Sequence, residues 1–584
     1  MSLAQARSHH RDFCKSQGFV AITMSISGFL RWARLPDTDV AESNVWINED
    51  IRPLPPSRRR WTTSTFISFW LTNQVAISNW QLGASLVAAG LSVWQSVIAI
   101  VIGKVIIALV AIFNGHVGAH WHIGFPVVSR YIWGVYGQYI ILIQRIILSL
   151  VWFAVQSWTG GLTVVNCLSA IFPSFESLGN VFPESSHLTT KDFIGWIIFN
   201  VLLIPILYIR PERIQKLLLA FNIISSITLI SIMIWALATA GEAGSLVRQG
   251  SKQMSSSELG WQIVHGITTV IGSIAVGLTN QPDYCRFARK PGDQVFGQWF
   301  SIIFFGAIFP TFGCLAASAT GVIYGEPIWN PPLIVQAWLD SNYNAKSRAG
   351  AFFAGLGLLC IQLSINSVDN AFSAGMDLSG LFCRYINIRR GAYIGLVLSI
   401  ALCPWELLSS AAVFISVLSA YSVFLGPIIG IQICDYFIIR RRRIKLSDLY
   451  HPRPDGSFYY YKGFNPRTFI AWVCGFATQL PGFAASVTPD SVKVAEGWIN
   501  LYYLAFPLGF AISFLLHLGI NTIWPPPEAG VIDEVDYYAT FTDDEARKLG
   551  VLPLDTEIIE GSHKVVEGHD SEKGPRTWLK SMLG

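Results

Sequence analysis

Apolar runs of about 20 residues, the length that crosses a hydrocarbon core, succeed one another along most of this chain. They lie near 64–89, 92–113, 138–163, 193–209, 214–238 and 259–281, then 296–322, 349–374, 391–405, 408–438, 468–489 and 498–521. A soluble fold cannot hide so many. Only 13% of the 584 residues are charged, against roughly 25% in soluble domains. The expected fold is an all-α membrane protein of about twelve transmembrane helices. Residues 61–522 form its membrane domain, between a cytoplasmic N-terminal tail (1–60) and a cytoplasmic C-terminal tail (523–584).

Charge sets the orientation. Arg58–Arg60, Arg210, Arg213 and Lys216, Arg286, Arg289 and Lys290, Arg384, Arg389 and Arg390, and Arg440–Arg443 with Lys445 fall on one side of the expected bundle. Few basic residues fall on the other side, and basic connections stay in the cytoplasm. Both termini are therefore expected inside. Residues 1–36 carry Arg7, Arg11, Lys15, Arg31 and Arg34 around a modest apolar patch. They read as an amphipathic segment on the inner leaflet, with organelle targeting as the alternative. The acidic tail after Pro525 reads as solvated, with lysines open to modification and to cytoplasmic trafficking factors.

Function must come from polar groups inside the spans, because hydrocarbon tolerates them poorly. The first span holds Thr72-Asn73-Gln74 and Ser78-Asn79-Trp80-Gln81, suggesting a broken helix with carbonyls facing a cavity, or a set of interhelical hydrogen bonds. Trp152 and Gln156 share a helical face in the third span. They offer a stacking surface and an amide edge, although such a pair also serves ordinary packing. In the eighth span Gln362, Asn366, Asn370, Ser373 and Asp377 form an inward polar stripe, suited to a cavity wall or a structural network. Pro282 interrupts the end of the sixth span, where Asp283 and Arg286 could form a local salt bridge closing the inner end. Lys104 and Arg145 could neutralise carboxylates or snorkel.

Enzymatic signatures are missing. There is no Walker loop, H-E-x-x-H or G-x-S-x-G pattern, and no cofactor or nucleic acid is expected. The nine cysteines are scattered without a C-x-x-C pair and read as reduced packing residues. His116, His120 and His122 have metal-like spacing but no accompanying acidic or cysteine set. A transporter for a small polar solute is the reading these residues favour; a non-transporting nutrient receptor is the competing class.

Several phrases add a family. Asn48-x-Asp50-x-x-Pro53, F-P-V-V-S-R at Phe125–Arg130, W-F-A-V-Q-x-W-x-G-G at Trp152–Gly161 and N-x-P-D-Y-x-R-F at Asn280–Phe287 follow in order. S-A-G-x-D-L at Ser373–Leu378, Arg389-Arg390-Gly391 and Cys403-Pro404-Trp405 complete the set. Over Asn48–Arg443 the chain resembles the nucleobase–cation symporter-1 family, in its fungal uracil and allantoin permease branch.

The resemblance implies a five-plus-five inverted repeat with two further C-terminal helices, discontinuous first and sixth spans, and a pocket lined by spans three, six and eight. Trp152 would stack on the solute ring, Gln156 would bond its polar edge, and Asn370 rather than Asn366 would be the family's substrate asparagine. Gln74, Asn366, Ser273 and Ile274 are the remaining substrate-site candidates. Ser273-Ile274 falls where some relatives carry a sandwiching tryptophan, so stacking is expected from one side. Asp283, Arg286, Asp377 and Ser364 are candidates for gating or coupling. Sodium-coupled relatives have a Ser-Thr pair where this chain has Ser364-Ile365, which favours protons over sodium. Asp369, Asp377 and Asp283 are the proton-site nominees. The implied activity is proton symport of uracil or allantoin across the plasma membrane, with uridine, uric acid, thiamine and nicotinamide riboside as alternatives.

Overall fold

A computed structural model of the protein describes residues 33–35, 44–209, 214–250, 252–488 and 491–553. The expectations for the first 32 residues, Arg210 and Arg213 lie outside them. The described chain is helical, and its β-bridges are isolated. The first half contains α1 (Thr63–Gln74), α2 (Ile77–Ala88), α3 (Val93–Trp121), α4 (Phe125–Trp133), α5 (Gln138–Ile171), α6 (Thr190–Leu207) and α7 (Gln215–Ala240). Then come α8 (Ser256–Gly272), α9 (Ala275–Thr279), α10 (Gln281–Cys285), α11 (Asp293–Tyr324), α12 (Ala345–Leu381) and α13 (Ile388–Ile400). The chain closes with α14 (Ala411–Ile439), α15 (Pro466–Ala477), α16 (Leu480–Val487), α17 (Ala505–Ile523) and the short α18 (Asp543–Leu549).

Among the described residues, 8 helices are long and apolar enough to cross a membrane, or 9 if α15 and α16, bent by 49°, form one span. The three other expected spans fall on the broken pair α1/α2, the broken set α8–α10 and the 13-residue α13. Length and composition alone do not make these three cross, so twelve is not established by this criterion. Outward faces remain apolar. On α7, Ile223, Ile227 and Ile234 are exposed, as residues facing lipid would be.

Both breaks have local causes. Between α1 and α2 the carbonyl of Asn73 loses its helical partner, and Asn79 Nδ2 donates to it at 2.6 Å. Buried backbone acceptors require such a replacement. α8 stops at Gly272, where a Cβ would stand 2.0 Å from the carbonyl oxygen of Leu418 in α14. Only glycine permits that approach. Pro282 lies in the first turn of α10, where its missing N–H costs little. α12 contains a wide π-turn over Asn366–Ala371.

The basic clusters gather at one end of the bundle. Trp61 bridges to Ala288, Asp50 Oδ2 accepts from Ile388 N at 3.1 Å, and Trp121 Nε1 donates to Arg442 O at 3.1 Å. The Asn48-x-Asp50 phrase is part of this lacing: Asn48 Nδ2 donates to Cys383 O (2.9 Å) and Ser379 Oγ (3.2 Å).

The expectation of a solvated C-terminal tail needs correction for its first part. Thr540 and Ala546 are buried, and Arg59 holds Glu545 with contacts of 2.9 and 3.0 Å while donating to Thr540 O at 2.6 Å. Acidic composition suggested solvation, but a buried arginine at the basic end needed an anionic partner.

Candidate functional site

The two breaks meet the π-turn of α12 at a central cavity. Its wall includes Asn73 from the end of α1, Trp152 from α5, Gly272, Ser273 and Ile274 from the end of α8, Asp369 and Asn370 from α12, and Tyr421 from α14. A contiguous recess adds Ser78, Asn79, Gln156 and Ile365. Broken helices leave backbone groups and small side chains at mid-depth, which is where a polar solute can be held.

The expected stacking and amide groups come together here. Trp152 is half-buried and packs beside Phe414, with ring centroids 6.4 Å apart and planes at 19°, and edge-on to Tyr421 at 6.1 Å. Phe414 in turn packs on Trp329 at 5.5 Å, so aromatic rings close the cavity on the side away from the basic end. Gln156 is fixed at both ends of its amide. Nε2 donates to Ser78 Oγ at 3.0 Å, and Oε1 accepts from Gln362 Nε2 at 3.0 Å. Its orientation is therefore set before any solute arrives.

Asn370 lies on the cavity wall and donates through Nδ2 to Asn366 Oδ1 at 2.8 Å. Asn366 stands behind it, buried and off the wall. The stripe on α12 does face inward, but its members serve different neighbours: Gln362 holds Gln156, Ser373 meets Asn280 at 2.8 Å, and Asp377 meets Arg145. Asp369 and Asn370 both lie in the wide π-turn and both reach the wall, and wide turns of this kind recur at functional sites.

Gln74 also stands behind the wall. Its Oε1 accepts from Lys104 Nζ at 2.9 Å, and its Nε2 donates to Asn73 Oδ1 at 2.9 Å. Ser364 is buried with its hydroxyl lacking a partner among the described residues. It lies one turn before the π-turn, off the cavity wall.

The expected Asp283–Arg286 side-chain bridge does not form. Asp283 Oδ1 accepts from Phe125 N at 2.8 Å, and Oδ2 lies 3.9 Å from Arg145 Nη2. Arg286 instead donates to backbone carbonyls, those of Asp283 (3.2 Å) and Asp50 (2.6 Å). Close sequence spacing suggested the local pair, whereas packing brings Arg145 across from α5. The same guanidinium pairs with Asp377, so α5, α10 and α12 are tied by one cation and two carboxylates. Asn280 completes the cluster; with its amide oxygen turned inward it accepts from Ser373 Oγ at 2.8 Å and Arg145 Nη1 at 3.2 Å.

A second cavity, of about 370 Å³, lies towards the basic end between α1, α7, α10 and α12. Phe69 and Tyr284 line both cavities, and their rings pack at 4.6 Å. This aromatic pair is the partition between them. The central cavity is contracted to about 30 Å³, room for roughly one water, so admitting a heterocycle requires the walls to move. Sequence reasoning missed both partition residues. Phe69 lies in an apolar run, which carries no sign of whether a ring faces lipid, core or a passage, and Tyr284 reads only as part of the phrase around Pro282.

The histidines do not converge on one point. His116 and His120 stack at 3.7 Å, while His122 turns to Arg59 at 2.7 Å.

Comparison with known proteins agrees with this architecture. A family model described as permease for cytosine/purines, uracil, thiamine, allantoin matches residues 53–509. The transporter aclS of Aspergillus oryzae is 49% identical over 568 residues, covering 88% of this chain and 92% of that one. The allantoin permease of Saccharomyces cerevisiae is 32% identical over 486 residues, covering 82% and 76%. In structure, Mhp1, a nucleobase-cation-symport-1 family transporter in a closed conformation with bromovinylhydantoin bound, superposes with a TM-score of 0.63 at 21% identity, covering 86% of this chain and 99% of that one. These relatives are transporters and not enzymes. The chain is a multi-pass membrane transporter that belongs to the nucleobase–cation symporter-1 family, the permeases for cytosine and purines, uracil, thiamine and allantoin.

Proposed function

We propose that the protein performs secondary active uptake of a small, flat, amide-bearing heterocycle, uracil or allantoin, by proton symport across the plasma membrane. The observation that carries this reading is the pre-oriented amide of Gln156, set one helical turn from Trp152 in a recess contiguous with the wall that carries Asn370. A ring stacked on Trp152 would meet amide donors and acceptors matching the adjacent C=O and N–H groups of these solutes. The basic end would face the cytoplasm. The solute would enter past Trp329 and Phe414 and leave past Phe69 and Tyr284 into the inner cavity.

Protons are favoured over sodium because Ile365 provides no hydroxyl beside Ser364. With one proton per neutral solute, the membrane potential contributes about 2.3 kcal/mol per 100 mV, roughly a fifty-fold bias in concentration. A second reading has one supporting observation. Asp369 places a carboxylate on the cavity wall, which would suit a cationic solute such as thiamine, one of the solutes in the family description.

Competitive uptake in cells lacking their own permeases tests both. Uracil, allantoin, uridine, uric acid, thiamine and nicotinamide riboside are each offered labelled, alone and in competition with the others. Saturable uptake of uracil or allantoin, unaffected by thiamine, supports the first reading; strong uptake of thiamine alone moves the assignment to the second. No accumulation of any of them would refute the transport reading and favour a receptor.

A further inference from the structure

Lys104 is a charged group set behind the cavity wall, off the lining. It is buried on α3, and among the described residues it makes no ion pair. Its ammonium reaches the break of the first span, donating to Gln74 Oε1 at 2.9 Å and Asn79 Oδ1 at 2.8 Å. An ammonium taken from water without a carboxylate beside it carries a large desolvation cost. Amide dipoles aligned towards it offset part of that cost.

The amides it holds do not end there. Gln74 Nε2 donates to Asn73 Oδ1 at 2.9 Å, Asn79 Nδ2 donates to Asn73 O at 2.6 Å, and Asn73 Nδ2 donates to Asp369 Oδ2 at 2.5 Å. Every link runs in one direction, from N–H donor to oxygen acceptor, beginning at an ammonium and ending at a carboxylate. Chains oriented this way polarise one another. The relay bridges α3, both halves of the broken first span and α12. Its geometry is tight as well: a Cβ on Gly306 of α11 would sit 2.8 Å from Gln74 Oε1 and 2.9 Å from Lys104 Cδ.

Its end is at the cavity. Asp369 is half-buried, the one carboxylate on the described wall, and among the described residues it makes no ion pair. The titratable groups around it are Tyr284 of α10 and Tyr421 of α14, which share the wall, and Lys104 beyond the amides. The charged groups Arg145, Asp283 and Asp377 form their own cluster.

We propose that Lys104 and Asp369, joined through Gln74, Asn79 and Asn73, form the proton-coupling element of this transporter, with Asp369 as the proton site and Lys104 as a positioning cation. This rests on the reading of the protein as a proton-driven transporter. A proton from external water forms the O–H bond on the cavity-facing oxygen of Asp369. The carboxylic acid then donates to a carbonyl of the solute, and its bond from Asn73 weakens because the acceptor is no longer charged. Solute and proton thus occupy the site together. When the cavity opens to the basic end, the proton leaves to cytoplasmic water, and the carboxylate recovers its bond from Asn73. Lys104 holds the Gln74 and Asn79 amides in place at the break throughout.

The test uses the full-length protein reconstituted in vesicles, with two readouts on one labelled solute, uracil or allantoin: accumulation driven by an acid exterior, and solute–solute counterflow without a gradient. Lys104→Gln, which keeps a donor and removes the charge, is expected to retain counterflow and lose the accumulation that one coupled proton brings, about tenfold per pH unit of gradient. Asp369→Asn is expected to lose accumulation to the same extent while counterflow persists at a lower rate. The double variant should be no worse than Asp369→Asn, because the two groups act as one unit. Acid-driven accumulation surviving in Asp369→Asn overturns the proposal. So does its survival in Lys104→Gln, or an equal loss of both readouts in that variant. If Lys104→Gln does not fold, Asp369→Asn decides alone. Wild-type accumulation that ignores collapse of the pH gradient, or that needs sodium, would refute the underlying proton reading instead.

Discussion

Replacing Arg145 and replacing Asp377 should have unequal consequences, although the two side chains are partners. Arg145, Asp283 and Asp377 are all essentially inaccessible to solvent. One guanidinium serves two carboxylates, and the buried Arg286 stands near Asp283 but not Asp377. Arg145→Gln would leave Asp377 buried without a cation and Asp283 with the less direct Arg286 alone. At the 3.9 Å separation from Asp283, the lost attraction alone is about 4 kcal/mol at an effective dielectric of 20. Breaking a buried pair by removing one partner costs about 3–5 kcal/mol in general. Asp377→Asn keeps an acceptor for the guanidinium and leaves a balanced Arg145–Asp283 pair, so its cost should be below about 1 kcal/mol. The double variant should recover part of the Arg145→Gln loss, because the carboxylate left without a cation, that of Asp377, is then gone. Thermal unfolding of the purified protein in detergent, followed by tryptophan fluorescence, checks the order. Equal destabilisation by the two single variants, or a double variant worse than Arg145→Gln, would refute the charge count.

Three further outcomes follow from other parts of the molecule. Phe69→Ala should merge the central and inner cavities; a cysteine introduced at Ser273 should then react faster with a polar reagent applied from the cytoplasmic side, and an unchanged rate would remove Phe69 from the partition. At the docked tail, burial raises the Glu545 carboxyl, but the Thr542 N–H and the Arg59 guanidinium outweigh it and hold it below the usual carboxylate range. A depressed carboxylate contributes stability above its unfolded value and loses it as pH falls through the folded one. Protease protection of residues 531–552 should therefore be constant through neutral pH and fail only under acid, whereas Glu545→Gln should expose the segment at neutral pH. Gly272→Ala should be poorly tolerated, because its Cβ would overlap the Leu418 carbonyl oxygen at 2.0 Å; normal stability and uptake in that variant would contradict the close α8–α14 approach.

Much of the architecture was legible because the bilayer sets a simple rule: apolar runs span, and polar clusters within them turn inward. Thr72-Asn73-Gln74 announced the broken first span, and the Gly272-Ser273 region with Pro282 announced interruptions in the sixth. Trp152 and Gln156 do share one face, on the cavity. What stayed hidden depended on departures from regular period or on long-range partners. The π-turn at Asn366–Ala371, which holds Asp369 and Asn370 on the wall, left no mark in a periodicity counted at 3.6 residues. Arg145 is far in sequence from both Asp283 and Asp377, so proximity along the chain pointed to Arg286. Phe69 gave no polar signal at all, and Tyr284 stood out only as part of the Asn280–Phe287 phrase. The docking of Glu545 on Arg59 needed a fold in which the segment before α1 meets α18.

Equilibrium binding of labelled uracil and allantoin to the purified protein, compared with Gln156→Ala and Asn370→Ala, tests the central claim most directly. Saturable binding of at least one solute by the wild type, with affinity lowered at least about tenfold in each variant through loss of a buried hydrogen bond of about 1.4 kcal/mol or more, is the expected result. Unchanged affinity in both variants, with folding intact, would contradict the assignment of this cavity as the solute site.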